Sequence, residues 1–467
     1  MYRQVLMSPD DSELQRILYR ASPDQPLKHY KLKTVTYGTK SASFLATRCL
    51  VQLADECDDP QIKRVIGQDF YVDDLISGAQ SELKCFEIYN QLQARLGKAG
   101  FALRKWCSNS TALLERIPNA HDDPNFMVAL SENDVISTLG LMWQPTTDSF
   151  RFTLKEWSPP ASMTKRSLLS DINSVYDPIG LISPVLIKGK IFIQQLWSLK
   201  MSWDQVLSED LQSRWSNFYS NLQSLAFLSI PRKAVCDQNA PIQIHGFSDA
   251  SQEAFGACVY LRSIDSTGCI QVTLFTSKSR VAPIHPTTIP RLELCGALLL
   301  AELVNDVKTE LKLLGIQVDI SSTYLWSDST IVIAWIKSQS LFQAYVANRL
   351  SRICDVSEPE QWYHVSTQDN PADLITRGAE AKPFSRCALW WNGPEWLCLS
   401  PSHWPSTPPL PSNMPEVRTI KLALAAMTID VDMWISKRYS SWVTLLRITA
   451  LVQRFLYNCR SSLSNTE

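Results

Sequence analysis

Paired acids are the first feature of this chain that could do chemistry. In Asp69-Phe70-Tyr71-Val72-Asp73-Asp74-Leu75-Ile76-Ser77-Gly78, two carboxylates follow an aromatic and β-branched run and precede a Leu-Ile-Ser-Gly exit. That composition predicts a tight β-hairpin with acids at its turn. Adjacent acids repel, so Asp73 and Asp74 on a buried hairpin call for a divalent cation to neutralise them. An ordinary surface turn would explain the dipeptide taken alone. Four further acids stand downstream: Asp249 after an apolar-polar run over 242–247, Glu293 in Ile289-Pro290-Arg291-Leu292-Glu293-Leu294, Asp328 after the run 324–327, and Asp373 in Asn370-Pro371-Ala372-Asp373-Leu374. They are spaced by 44, 35 and 45 residues. Taken singly, Asp328 and Asp373 read as helix caps or first-turn acids answering the helix dipole, and Glu293 as a solvated first-turn residue.

The elements that must position these acids follow from periodicity and breakers. Residues 8–20 read as a turn and a short alternating segment, 29–35 as strand and 41–55 as helix. A second helix over 81–97 is capped by Ser81 and closed near Gly97, with Leu83, Phe86, Tyr89, Leu92 and Leu96 as its core face. The runs 135–143 and 148–152 read as a hairpin. Over 164–197, Tyr176-Asp177-Pro178 breaks one helix and Ser183-Pro184 opens the next. Lys165, Arg166, Lys188 and Lys190 there either face phosphates or form a solvated helix face. Further on come strands at 242–247, 254–261 and 271–276, a helix over 290–314, a strand at 324–327, helices at 329–337 and 344–354, a strand at 361–365, and a last helix from Pro371.

That order of elements resembles the ribonuclease H arrangement, and the acids fall at its diagnostic ends. The resemblance implies that Asp249 and Asp328 terminate adjacent strands while Glu293, in the first turn of the long helix, and Asp373, opening the last one, converge on the same patch. Four carboxylates so placed would repel by several kcal/mol in a low dielectric unless cations sat between them. It further implies two Mg²⁺ ions about 3.5–4 Å apart, held by Asp249, Glu293, Asp328 and Asp373, which activate water and stabilise the leaving 3′ oxygen in phosphodiester cleavage. Lys278, Arg280 and Arg291, with Lys165 and Arg166, are the expected phosphate contacts to an RNA/DNA hybrid read by shape and 2′-hydroxyls. His364 reads as a packed strand histidine and takes no role.

Tyr71-Val72-Asp73-Asp74 resembles the catalytic hairpin of reverse transcriptases. Upstream, Thr34-Val35-Thr36-Tyr37-Gly38-Thr39-Lys40-Ser41-Ala42-Ser43-Phe44 is similar to the segment that packs against template and nucleotide. Downstream, Gly97-Lys98-Ala99-Gly100-Phe101-Ala102-Leu103-Arg104-Lys105-Trp106 is similar to the next helix-to-strand element of the palm. In order and spacing the chain resembles the Pao (BEL/Pao) family of long-terminal-repeat retrotransposon polyproteins over essentially its whole length. That resemblance implies a multidomain fold, α/β and α+β. It would hold a partial reverse-transcriptase palm over 1–160, a thumb and connection over 161–235, and a ribonuclease H-like mixed five-stranded sheet with helices over 236–380. A Pro-rich linker and a helix of the kind that precedes an integrase would fill 381–467. By the same resemblance, Asp73 and Asp74 would hold Mg²⁺ in a complete palm. The family's further palm Asp lies ahead of a segment like Met1-Tyr2-Arg3-Gln4, so polymerase activity is not expected of this chain alone. Template-primer and RNA/DNA hybrid are the implied partners, a cytoplasmic retrotransposon particle the implied location.

Composition bounds the alternatives. With 467 residues, 45% apolar and 19% charged, the chain has material for about three globular domains. Its 45 basic and 46 acidic residues nearly cancel, so any grip on nucleic acid comes from local patches. Twelve cysteines without a Cys-x-x-Cys pair indicate neither a zinc knuckle nor a disulfide framework. No signal peptide or membrane-spanning run is expected. Seven prolines from Pro394 to Pro415 predict an extended linker. Two rivals remain: a non-catalytic remnant that only binds nucleic acid, and an aspartic peptidase, whose Asp-Thr-Gly or Asp-Ser-Gly turn is interrupted here as Asp265-Ser266-Thr267-Gly268.

Overall fold

The computed structural model describes residues 1–118, 136–138, 141–152, 154, 158, 160, 162–237, 240–316, 322–418 and 441–460. Residues 1–417 form one compact unit and 418–467 a second, in which a single helix, Trp442–Arg460, is described. No described helix is long and apolar enough to cross a membrane, and all twelve cysteines are free thiols.

The N-terminal part begins with an exposed antiparallel ribbon, β1 (Arg16–Tyr19) with β2 (Lys28–Lys31). Two helices follow, α1 (Ala42–Asp55) and α2 (Pro60–Gln68). The second is not among the elements expected from periodicity, although its start signal is explicit: Asp59 accepts from the amides of Gln61 and Ile62, and Pro60 occupies the first turn. A two-residue turn then joins β3 (Phe70–Tyr71) to β4 (Asp74–Leu75), followed by α3 (Glu82–Lys98) and α4 (Thr111–Arg116). Leu50, Ile62, Val65, Ile66, Ile88, Leu92 and Leu96 make the local core. Ser81 caps α3 as expected, but Leu83 is 61% exposed and the unexpected Ile88 is buried. Nine residues separate Leu83 from Leu92, which at 3.6 residues per turn puts Leu83 about 180° away from the buried face.

The hairpin expected of runs 135–143 and 148–152 is present as β6 (Leu141–Gln144) with β7 (Ser149–Arg151), but the first run is not one strand: its start, β5 (Ile136–Thr138), pairs back on β6, and residues 139–140 lie outside the described residues. Next come α5 (Lys165–Asn173), α6 (Ser183–Ser198), α7 (Glu209–Leu222) and β8 (Ser229–Pro231), the last returning to β7 to complete a four-stranded antiparallel sheet.

The central element is a five-stranded sheet. It is built from β9 (Ile242–Ala250), β10 (Ala254–Ile264) and β11 (Ile270–Val281), then the long helix α8 (Ile289–Leu313) and β12 (Thr323–Ser327). Helices α9 (Thr330–Lys337) and α10 (Ala344–Cys354) lead to β13 (Trp362–His364). Strand order is β11-β10-β9-β12-β13, with β9, β10 and β11 antiparallel and β12 parallel to both its neighbours. The chain ends this unit with α11 (Asp373–Arg377), α12 (Ala381–Phe384) and α13 (Ala388–Asn392). One face of the sheet, through Ile244, Val259 and Leu325, buries against α8, α9 and α10. The other, through Phe247, Tyr260 and Trp326, shares a core with Leu168, Ile182, Leu196, Trp215, Ile375 and Trp390. Helices α5 to α7, expected as a separate thumb, are therefore packed into the same core as the sheet.

The proline-rich stretch is not a free linker. Trp390 is fully buried and donates to Leu181 O at 2.8 Å. Buried Arg262 donates to Leu397 O at 2.7 Å and Leu399 O at 3.1 Å. Trp404 stands edge-on to His245 and Tyr324. Further along, Trp335 donates to Pro415 O at 3.0 Å, and Val417 bridges to Phe342. The stretch is also not extended throughout, since it holds 3-10 turns at Glu395–Cys398 and Pro401–His403, and its aromatic residues with Trp390 ahead of them staple it down as a strap.

Candidate active site

Strand register brings two of the acids together. Parallel pairing sets Ser327 beside Ser248, so Asp328 follows at the level of Asp249 on the neighbouring strand. Helix α8 approaches that strand end at Gly296, where a Cβ would stand 2.9 Å from Asp249 O. Only glycine allows so close an approach, and Glu293 lies one turn earlier on the same helix. Glu293 is the fifth residue of α8, just past the first turn expected for it. Asn370, fully buried, donates to Ser248 O at 3.0 Å and accepts from Ala372 N, which pins the loop entering α11 with Asp373 at its head.

Each acid has its own donor. Thr376 Oγ1 donates to Asp249 Oδ2, Ser329 Oγ to Glu293 Oε2, and Thr367 Oγ1 to Asp328 Oδ2 at 2.9 Å. Asp373 is paired with Arg377 at 2.7 Å, four residues on. Sequence reasoning misses these donors; the only signals for them are Ser329 as a cap beside Asp328 and Thr376 one turn after Asp373.

The charges in this patch strain against one another. Burial pushes the Asp249 carboxyl up to about 7, and the Asp328 and Asp373 charges push the same way, against the Thr376 bond. Glu293 is raised by burial and by Asp328, against the Ser329 bond. Asp373 is also raised by burial, with Arg377 opposing and Asp328 adding. Burial is the largest cause in all three, and the Asp328 charge adds to each, as expected of acids gathered at one site.

Among the described residues, no set of three or more His, Cys, Asp or Glu side chains stands close enough to hold one metal ion. The acids are gathered but not closed about a point. Their chemistry nevertheless fits a hard divalent cation. All four donors are carboxylates, the Asp328 charge adds to what burial does in raising the other three, and Asp328 Oδ1 is buried without a hydrogen-bond partner.

The other expected residues fare differently. Asp73 and Asp74 occupy a tight turn as expected, with Tyr71 paired to Asp74, but the hairpin is exposed, so the cost argued for burying two acids does not arise. Val72 in that turn has φ 58°, a left-handed conformation that β-branched residues rarely take and that concentrates at functional sites. Lys165 is not a phosphate contact: it is buried, donates to Met201 O at 2.6 Å and lies 4.0 Å from the Trp197 ring. Arg166 is engaged by Asp204 at 2.7 Å and Lys278 by Asp306 at 3.2 Å. Arg291 is held by Glu416 through two hydrogen bonds of 2.8 and 3.0 Å. Arg280 is exposed and in no ion pair among the described residues. The run 265–268 is the turn between β10 and β11, in which Asp265 accepts from the Thr267 and Cys269 amides, so its carboxylate is spent on the turn itself.

Residues 164–329 match the model of the Pao retrotransposon-like RNaseH-like domain. No curated protein matches. Similar solved structures include the N-terminal RNase H domain of a Mycobacterium tuberculosis protein fused to maltose binding protein, at 12% identity and TM-score 0.21 over 31% of this chain and 96% of that one. LC11-RNase H1 in complex with an RNA/DNA hybrid is 14% identical, with TM-score 0.21 over 31% of this chain and 99% of that one. A foamy viral protease-reverse transcriptase in complex with dsDNA is 13% identical, with TM-score 0.19 over 77% of this chain and 65% of that one.

Proposed function

We propose, from the match of residues 164–329 to the model of the Pao retrotransposon-like RNaseH-like domain, that this chain hydrolyses the RNA strand of RNA/DNA hybrids with divalent cations as cofactor. The observation that carries the reading is the convergence of Asp249, Glu293, Asp328 and Asp373 from two parallel strand ends and two helices onto one patch, where burial and then the charges of Asp328 and Asp373 raise Asp249. Asp249, Glu293, Asp328 and Asp373 would hold Mg²⁺. When bound, the metal supplies an activated water and charge stabilisation for the leaving 3′ oxygen. The chain's own part is to hold the acids. Asp249 is fixed by Thr376, Glu293 by Ser329 and Asp328 by Thr367, so each presents its carboxylate in a set direction.

In the reaction, water attacks phosphorus, the bond to the 3′ oxygen breaks, and a 5′-phosphate and a 3′-hydroxyl result. A labelled hybrid incubated with the purified chain should be cleaved only when Mg²⁺ is present. Asp249→Asn should lower the rate by at least about 100-fold, in the range seen when essential polar groups are removed from an active site. Cleavage that survives both EDTA and Asp249→Asn would sink the reading.

Residues 1–118 we read as part of a template-primer-binding palm, on the strength of the strained Val72 turn that presents Asp73 and Asp74 to solvent. Polymerisation by this chain alone is not part of the proposal.

A further inference from the structure

We propose that Thr376 is a positioning residue whose hydroxyl locks Asp249 and the helix bearing Asp373 into one register, and thereby sets the affinity of the acid cluster for divalent cation. The inference rests on the nuclease reading above and names a determinant of that site outside the four acids.

The geometry is specific to this residue. Thr376 is 1% exposed and lies three residues after Asp373, so it sits one turn away on α11. Its Oγ1 is within hydrogen-bond distance of both Asp249 Oδ2 and Asp373 O, the latter at 3.1 Å. A hydroxyl has one proton, and the carboxylate is the stronger acceptor, so the proton goes to Asp249. The Thr376 carbonyl in turn accepts from Ser251 Oγ at 3.1 Å, and Ser251 Oγ receives the amide of Ala254 across the β9–β10 turn. Asp249 is thus flanked by two ties between α11 and the β9–β10 corner.

Those ties matter because α11 is only five residues long. A helix so short has no stability of its own and keeps its place only through what it touches. Ile375 fits against Gly256, where a Cβ would stand 2.4 Å from Ile375 Cγ2, so the helix lies flush on β10. Asn370 holds the loop entering the helix through Ser248 O, and Ser251 holds the helix end through Thr376 O; the Thr376 hydroxyl is the tie that reaches the Asp249 carboxylate itself.

Ser329 and Thr367 serve Glu293 and Asp328 in the same manner, but neither role is separable. Ser329 also caps α9 by accepting from Val332 N at 3.3 Å, and Thr367 is exposed to solvent. Thr376 is where positioning can be tested by itself.

The test compares the full chain with Thr376→Val, Thr376→Ser and Asp249→Asn, measuring Mg²⁺ binding by calorimetry without nucleic acid. Thr376→Val should weaken Mg²⁺ binding about 10- to 100-fold, the usual loss when a ligand's hydrogen-bond partner is removed. Thr376→Ser should recover it to within a few-fold. The Mg²⁺ concentration for half-maximal hybrid cleavage should move by the same factor, while hybrid affinity in EDTA stays unchanged. Native affinity in Thr376→Val overturns the proposal, as does a serine variant that regains the native melting temperature but not the affinity. A native chain that binds no Mg²⁺ overturns it too. If Mg²⁺ binds, Thr376→Val loses it and no hybrid is cut, positioning stands and the nuclease reading fails.

Discussion

Burial raises the Asp177 carboxyl to about 6, against the amides of Ile182 and Leu181 that donate to it and the charge of Lys190. An unfolded aspartate gives up its proton near pH 3.9. Between about pH 4 and pH 6 the folded chain therefore holds more protons than the unfolded one, and stability falls as pH rises through that window. Asp249, raised to about 7 by its burial, acts in the same sense and extends the decline. Asp177→Asn should flatten the fall in melting temperature between about pH 4.5 and about pH 6.5, leaving the part that belongs to Asp249; an unchanged slope would show that Asp177 titrates normally. At this scale the sequence is legible where a residue type is rare at a position. Acids at strand ends stand out, and all four clustered acids lie on the expected elements. The hydroxyls do not, because serine and threonine are common and Thr376 acquires its meaning only through a contact 127 residues away in the chain. The basic residues show the reverse failure. Their charge is plain, but the carboxylates that occupy Arg166, Lys278 and Arg291 come from 38, 28 and 125 residues off.

Among the elements, the loop before α6 is fixed by Gly180. Its φ is 78°, and a Cβ there would stand 1.9 Å from Ser277 O. The same segment receives Ser277 N at Ile179 O, 2.9 Å, and Ser277 Oγ at Gly180 O, so α6 is sewn to β11 through backbone. Gly180→Ala should destabilise the chain by about 2–4 kcal/mol, combining the left-handed penalty with overpacking against a backbone atom that cannot move aside. A denaturant midpoint equal to the native one would refute this. Local residue types foretell a break at Tyr176-Asp177-Pro178 and a helix opened by Pro184, and both are there. They do not foretell that the break docks on a strand edge, since nothing local records that neighbour. Periodicity likewise locates α3 but misplaces part of its buried face at Leu83, and the prolines of 394–415 suggest extended backbone without revealing the turns at Glu395–Cys398 and Pro401–His403 or that Trp390 and Trp404 hold the stretch down.

At the scale of the molecule, the order of strands and helices from β9 to α11 is legible, because buried strands, a long amphipathic helix and turn residues each leave local marks. The extent of the core is not. Ile182, Trp215, Phe247, Trp326, Trp390 and Leu397 bury together, joining segments that composition assigns to three regions. A fragment of residues 236–380 is therefore expected to lack a cooperative thermal transition, since it forfeits Ile182, Trp215, Trp390 and Leu397; residues 162–418 should unfold as one unit by circular dichroism. A sharp transition in the shorter fragment would overturn that view. Both margins of the central sheet are occupied from within the chain. At β11 the Ile179–Gly180 backbone takes up Ser277, and at β13 the amide of His364 is received by Thr407 Oγ1 at 3.2 Å. Each outer strand thus has a backbone amide taken up by its own chain, at Ser277 and at His364. A partner from within the chain at each outer strand works against edge-to-edge polymerisation at those points, and the strap, besides bracing the sheet, helps keep neighbouring copies from zipping together at His364.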